Sequence, residues 1–143
     1  MIFSQDRGTL RKMYTDAWAR FRDGSVLTPL DAQIARVVEE HPEYHAIVEA
    51  TAADDATADG GEHNPYLHMG MHLAIREQVS TNRPPGIRAL CETLSDRLGD
   101  RLEAEHRMME ALGETLWEAQ RNNVAPDEAA YLERLKRIAG AAK

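Results

Sequence analysis

Two histidines four residues apart are the side chains of this chain best suited to chemistry. His68 and His72 stand in a segment that opens with Asn64-Pro65, a capping residue followed by a first-turn proline. One helical turn rises about 5.4 Å, so side chains at i and i+4 leave the same face and their imidazoles can converge. The pair therefore predicts a metal site. The alternative is that both imidazoles pack at the edge of a core and hydrogen-bond to neighbours.

A second histidine lies four residues before a carboxylate, in His106 and Glu110, and Glu114 continues the same helical stripe. Burying an unpaired carboxylate is expensive, so acids on a face that should be apolar need a cation, a donor or a metal. We expect His106 and Glu110 to join the first pair. The alternative places Glu110 and Glu114 at the wet edge of the helix, paired with Arg107 or Arg121.

The third cluster runs from His41 to His45. Pro42 places His41 before or at the start of a helix, so the two histidines need not share a face. We therefore expect His45 to be a ligand and His41 an accessory residue. The predicted ligand set is His45, His68, His72, His106 and Glu110, with His41, Arg76, Glu77 and Glu114 orienting or neutralising the ligands.

Histidine with carboxylate suits a transition metal ion such as zinc, iron or manganese. An open coordination position would hold water or oxygen and allow hydrolytic or redox chemistry, so the sequence leaves open whether the protein is an enzyme. One competing hypothesis is a non-catalytic interaction protein with a structural network of histidine and glutamate hydrogen bonds. Another is a small-molecule binder whose polar cavity includes Tyr44, Arg76 and Trp117.

Helix start signals recur along the chain, and almost no segment shows the alternation of a strand, so the sequence predicts an all-α protein. We expect one domain over residues 1–143, a bundle of about six or seven helices with a polar loop at about 50–63. The predicted helices run from Ser4 to about Asp23, Thr28 to before Pro42, Glu43 to about Glu49, Asn64 to about Ser80, Ile87 to Gly99, Asp100 to about Asn122, and onward from Pro126.

Composition narrows the function classes. The 143 residues carry 17 basic and 24 acidic side chains, a net charge of −7, and no basic stripe that would neutralise phosphates. We therefore expect no nucleic-acid partner. No apolar run reaches the length of a membrane span, and the first residues lack a signal-peptide pattern, so we expect no membrane partner and a cytoplasmic location. Small-molecule and protein partners stay open, and an oligomer is compatible with the sequence.

Four segments carry a resemblance to a known family. They are the runs from His41 to His45, from Asn64 to Gln78, from Arg83 to Ile87 and from Leu112 to Gln120. Together they resemble an uncharacterised bacterial family, domain of unknown function 1841, over most of the chain. The resemblance implies a short, soluble proteobacterial protein. It implies no activity, substrate or cofactor, so the metal prediction rests on the residues themselves.

Overall fold

The computed structural model describes residues 7–50 and 64–141, and within them it contains seven α-helices, a short 3-10 turn and no strand. The all-α prediction is confirmed. None of the helices in these two ranges is long and apolar enough to cross a membrane. The helices are α1 (Arg7–Asp23), α2 (Pro29–Glu39), α3 (His45–Glu49), α4 (Pro65–Thr81), α5 (Ile87–Leu98), α6 (Arg101–Asn122) and α7 (Glu128–Ala141), and the 3-10 turn Pro42–Tyr44 precedes α3.

Short polar side chains fix where the helices start. Thr28 and Asp31 form a capping box on α2, and the side chain of Asp100 accepts a hydrogen bond from the backbone of α6. Asn64 Oδ1 accepts the backbone N–H of Tyr66 at 2.9 Å and so caps α4. These starts agree with the prediction. The predicted cap Ser4 and residues 51–63 of the predicted loop lie outside the described residues.

By its internal contacts the chain divides into two compact units, Met1–Leu73 and Ala74–Lys143. In the first unit, α1 packs on α2 and on α3. The prediction of a single domain stays a prediction. The buried core of the first unit contains Tyr14, Ala17, Trp18, Ile34, Ala35, Val37, Val38, Val48, Tyr66 and Met69.

In the second unit, α5, α6 and α7 each pack against the other two. Alongside the apolar core lies a partly buried polar contact, in which the Tyr131 hydroxyl donates to Gln78 Oε1 at 2.6 Å. The buried apolar residues of this unit include Ile75, Ile87, Cys91, Leu94, Met108, Leu112, Tyr131 and Leu135.

Candidate metal centre

Helix α4 brings His68 and His72 together. Their Nε2 atoms lie 3.2 Å apart and their ring centroids 4.9 Å apart, as the spacing of four residues predicts. Two imidazole nitrogens at zinc–nitrogen bond lengths in a tetrahedral site would stand about 3.3 Å apart. The observed separation therefore suits two ligands of one ion. It also suits a hydrogen bond in which one Nε2 carries the proton.

His41 reaches the same place from the connection between α2 and the 3-10 turn. Its ring centroid lies 5.1 Å from that of His68 and 4.8 Å from that of His72. Each of the three histidines offers one ring nitrogen, and the three nitrogens lie within 4.8 Å of one another. We call these three residues the histidine cluster; a group of this kind can hold a metal ion.

A backbone carbonyl sets the orientation of His41. Its Nδ1 lies 2.7 Å from the carbonyl oxygen of Val37, and a carbonyl only accepts, so Nδ1 carries the hydrogen. In the neutral ring Nε2 then keeps its lone pair, the form that a metal ligand needs. Histidine ligands in proteins are commonly held in this way, through the nitrogen that does not bind the metal.

Two of the three histidines are shielded from water. His72 is fully buried and only 4% of His41 is exposed, whereas His68 is partly exposed. The Tyr44 ring lies almost parallel to His41, at 5.5 Å between centroids, and meets the His68 ring edge-on at 5.9 Å. Burial, and secondarily the Glu43 carboxylate, raises the pKa of Tyr44. A dry aromatic surrounding of this kind strengthens electrostatic interactions with a bound cation.

The structure places His41, and not His45, beside His68 and His72, and the prediction that His45 is a ligand stays a prediction. His45 packs its ring against Trp18, with 4.6 Å between centroids, and its Nε2 lies 2.9 Å from the carbonyl oxygen of Val38. It is not part of the histidine cluster. The local signal was Pro42, because a residue before proline avoids helical backbone angles. His41 has φ −126° and ψ 69°, and its ring turns back onto the last turn of α2.

In the second unit, His106 and Glu110 are both on α6. The His106 side chain is 37% exposed, and its Nδ1 lies 3.5 Å from Glu103 Oε1 one turn earlier. Glu110 is exposed and lines a surface cavity together with Arg134 and Arg137. The prediction that His106 and Glu110 belong to the metal ligands stays a prediction.

Glu114 and Glu77 are both exposed. Glu114 Oε1 accepts from Arg134 Nε at 2.7 Å, so the partner of Glu114 is on α7 and is neither Arg107 nor Arg121. The register in which α6 packs against α7 cannot be read from the sequence pattern, so there was no signal for this partner.

Arg76 pairs with a carboxylate that the sequence analysis missed. Its Nε lies 3.0 Å and 3.2 Å from the two carboxylate oxygens of Glu105, and its Nη2 lies 3.0 Å from Oε1. Only 2% of Glu105 is exposed. The available signal was that Glu105 continues the apolar stripe of Met108, Met109 and Leu112 at helical spacing, where an acid needs a buried partner.

Comparisons with curated proteins and with solved structures give no significant match. A family model does match, and the resemblance noted in the sequence is confirmed. The model is described as domain of unknown function (DUF1841) and covers residues 6–137 of the 143. The chain therefore belongs to the family of domain of unknown function 1841.

Proposed function

We propose that this protein binds a transition metal ion through His41, His68 and His72. The observation that carries the proposal is the convergence of three histidines, each with one ring nitrogen within 4.8 Å of the others; the Val37 carbonyl bonds Nδ1 of His41 and so keeps Nε2 of that ring in the ligand form. Zinc, iron and manganese are the candidate ions, because imidazole nitrogen suits these metals better than it suits magnesium or calcium.

The end of α2 favours a cation at this place. The histidine bonded to Val37 sits at the carboxyl end of an 11-residue helix, where the helix dipole contributes a partial negative charge. Three neutral imidazoles leave the charge of a divalent ion uncompensated, so this partial charge stabilises the bound ion. A position not filled by protein would be filled by water, whose pKa a zinc ion lowers strongly.

The first experiment is elemental analysis of the untagged protein beside the double variant His68→Ala/His72→Ala. We expect close to one transition metal ion per chain in the wild type and none in the variant. His45→Ala is the matched control, because His45 lies in the same unit but outside the histidine cluster; this variant should retain the metal. The proposal fails if the wild type takes up no zinc, iron or manganese when each is supplied.

The second candidate function is a non-catalytic interaction protein with a structural histidine network. The observation in its favour is the 3.2 Å separation of the two Nε2 atoms of His68 and His72, which also fits a hydrogen bond. In a network one Nε2 keeps its proton, whereas a metal ion bound to both atoms displaces it. Nitrogen-15 NMR of the imidazole rings, recorded before and after adding zinc, separates the two functions.

A further inference from the structure

The second unit contains a cavity of about 320 Å³ that the metal proposal does not use. The connection between α4 and α5 forms one side of it, and the connection between α6 and α7 contributes to the other. Pro84, Leu112 and Tyr131 are among its lining residues and are buried, so they form an apolar floor. The volume is at the lower end of the range for small-molecule sites and is large enough for one apolar side chain.

One polar group belongs to this floor. The hydroxyl of Tyr131 donates to Gln78 Oε1 at 2.6 Å. Burial raises the pKa of Tyr131 well above its ordinary value, so the hydroxyl keeps its proton and remains the donor. Because this bond uses the amide oxygen of Gln78, the two amide hydrogens stay available to a ligand.

The rim of the cavity carries both signs of charge. Arg83 is exposed and comes from the α4–α5 connection, whereas the exposed carboxylates of Asp127 and Glu128 come from the start of α7. Within the part of the chain that the structure describes, the Arg83 guanidinium makes no hydrogen bond or ion pair. Asp127 uses Oδ1 to accept the backbone N–H of Ala130 at 3.1 Å, which leaves its other oxygen available.

We infer that this cavity binds a zwitterionic α-amino acid with a large apolar side chain, such as leucine or phenylalanine. The apolar side chain would occupy the floor, the carboxylate would face Arg83, and the ammonium group would face Asp127 and Glu128. A rim with separated charges of both signs matches the two charges of one small ligand. This inference does not depend on the histidine cluster.

The test is an NMR titration of the full-length protein with L-phenylalanine, 3-phenylpropionate and phenylalanine amide. For L-phenylalanine we expect a dissociation constant on the order of 1 mM, given its size. Arg83→Gln should weaken the binding of L-phenylalanine and 3-phenylpropionate by up to about fivefold and leave the binding of phenylalanine amide unchanged. Asp127→Asn/Glu128→Gln should weaken the binding of L-phenylalanine and phenylalanine amide and leave the binding of 3-phenylpropionate unchanged. Asparagine keeps the oxygen that caps α7.

Two controls make the titration decisive. Arg97→Gln removes an exposed arginine of the same unit that does not line the cavity, and it should bind all three ligands as the wild type does. The His68→Ala/His72→Ala variant should also bind them normally, which separates the cavity from any ligand held by a metal. The inference is overturned if no ligand shifts the resonances of the cavity residues at a ligand concentration about tenfold above the expected dissociation constant. It is also overturned if both rim variants weaken the binding of all three ligands equally.

Discussion

The ion pair between Arg76 and Glu105 leads to an asymmetric prediction for stability. Glu105 is 2% exposed, whereas 23% of the Arg76 side chain is exposed. In Arg76→Met the buried carboxylate loses its closest guanidinium, and the Nε of Arg101 stays 3.9 Å away. We expect this variant to lose about 3–5 kcal/mol of unfolding free energy, the usual result of removing one partner of a buried ion pair.

Substitution of the other partner, Glu105, should destabilise the protein less. In Glu105→Leu the guanidinium of Arg76 loses this carboxylate but still reaches water, so we expect a loss of about 1–3 kcal/mol. The double variant Arg76→Met/Glu105→Leu removes both charges of the pair and should lie within about 1 kcal/mol of the wild type. The two single effects are therefore strongly non-additive.

Urea unfolding, followed by circular dichroism, gives the unfolding free energy of the wild type, the two single variants and the double variant. The four values can be compared if the proteins have similar m-values. Arg101→Met is the control, because its side chain is 54% exposed and its contact with Glu105 is long; this variant should change the unfolding free energy by less than about 1 kcal/mol. Equal losses in the two single variants, or a double variant whose loss is their sum, would refute the reasoning.

Three further predictions concern single positions. Burial raises the pKa of Tyr14 from 10.0 to about 12, so as the pH rises the unfolded chain loses the hydroxyl proton before the folded chain does. The unfolding free energy should therefore fall by up to about 3 kcal/mol between pH 10 and about pH 12. Tyr14→Phe should remove this contribution to the alkaline loss of stability, as measured by urea unfolding at a series of pH values. Thr28→Ala breaks the capping box with Asp31 and should lose about 1 kcal/mol in urea unfolding, whereas Thr28→Ser should not. If His106 and Glu110 are ligands, His106→Ala and Glu110→Gln should each weaken metal binding at least about tenfold by calorimetry, and unchanged affinity would remove that residue from the ligand set.

The fold was predictable where local chemistry decides it. Thr28, Asn64 and Asp100 were identified as helix starts from residue type alone, and each accepts a backbone hydrogen bond at the start of its helix. Gly99, with φ 73°, ends α5 where the apolar stripe stops. A cap involves residues within one turn of sequence, so a sequence pattern contains all the information that determines it.

Features that depend on packing were not predictable in this way. Trp117 is 56% exposed, and Arg121 lies over its ring at 5.1 Å. On α6 the buried face passes through Leu112 and Thr115, and Trp117 lies on nearly the opposite side of the helix. The apolar residues of α6 include Leu116 and Trp117 outside the buried face, and the contacts with other helices decide which side is buried.

In the candidate site, too, local helix geometry was predictable and the packing between elements was not. The convergence of His68 and His72 follows from helix geometry and was predicted. That His41 replaces His45 beside them depends on where α2 ends and on which of its last carbonyls each ring meets. Those carbonyls belong to Val37 and Val38, and no sequence pattern assigns one histidine to one carbonyl.

The bond from His41 to the Val37 carbonyl restricts how this position can vary. Nδ1 of the ring is bonded to the last turn of α2, which leaves Nε2 as the nitrogen with the lone pair that a metal ion needs. Asparagine can donate to the carbonyl but is a poor ligand for zinc, while aspartate and cysteinate bind metal but have no hydrogen to donate. Histidine alone meets both requirements with two separate atoms of one side chain. In a saturation mutagenesis screen, selection for folding and selection for metal uptake would therefore act on the same codon.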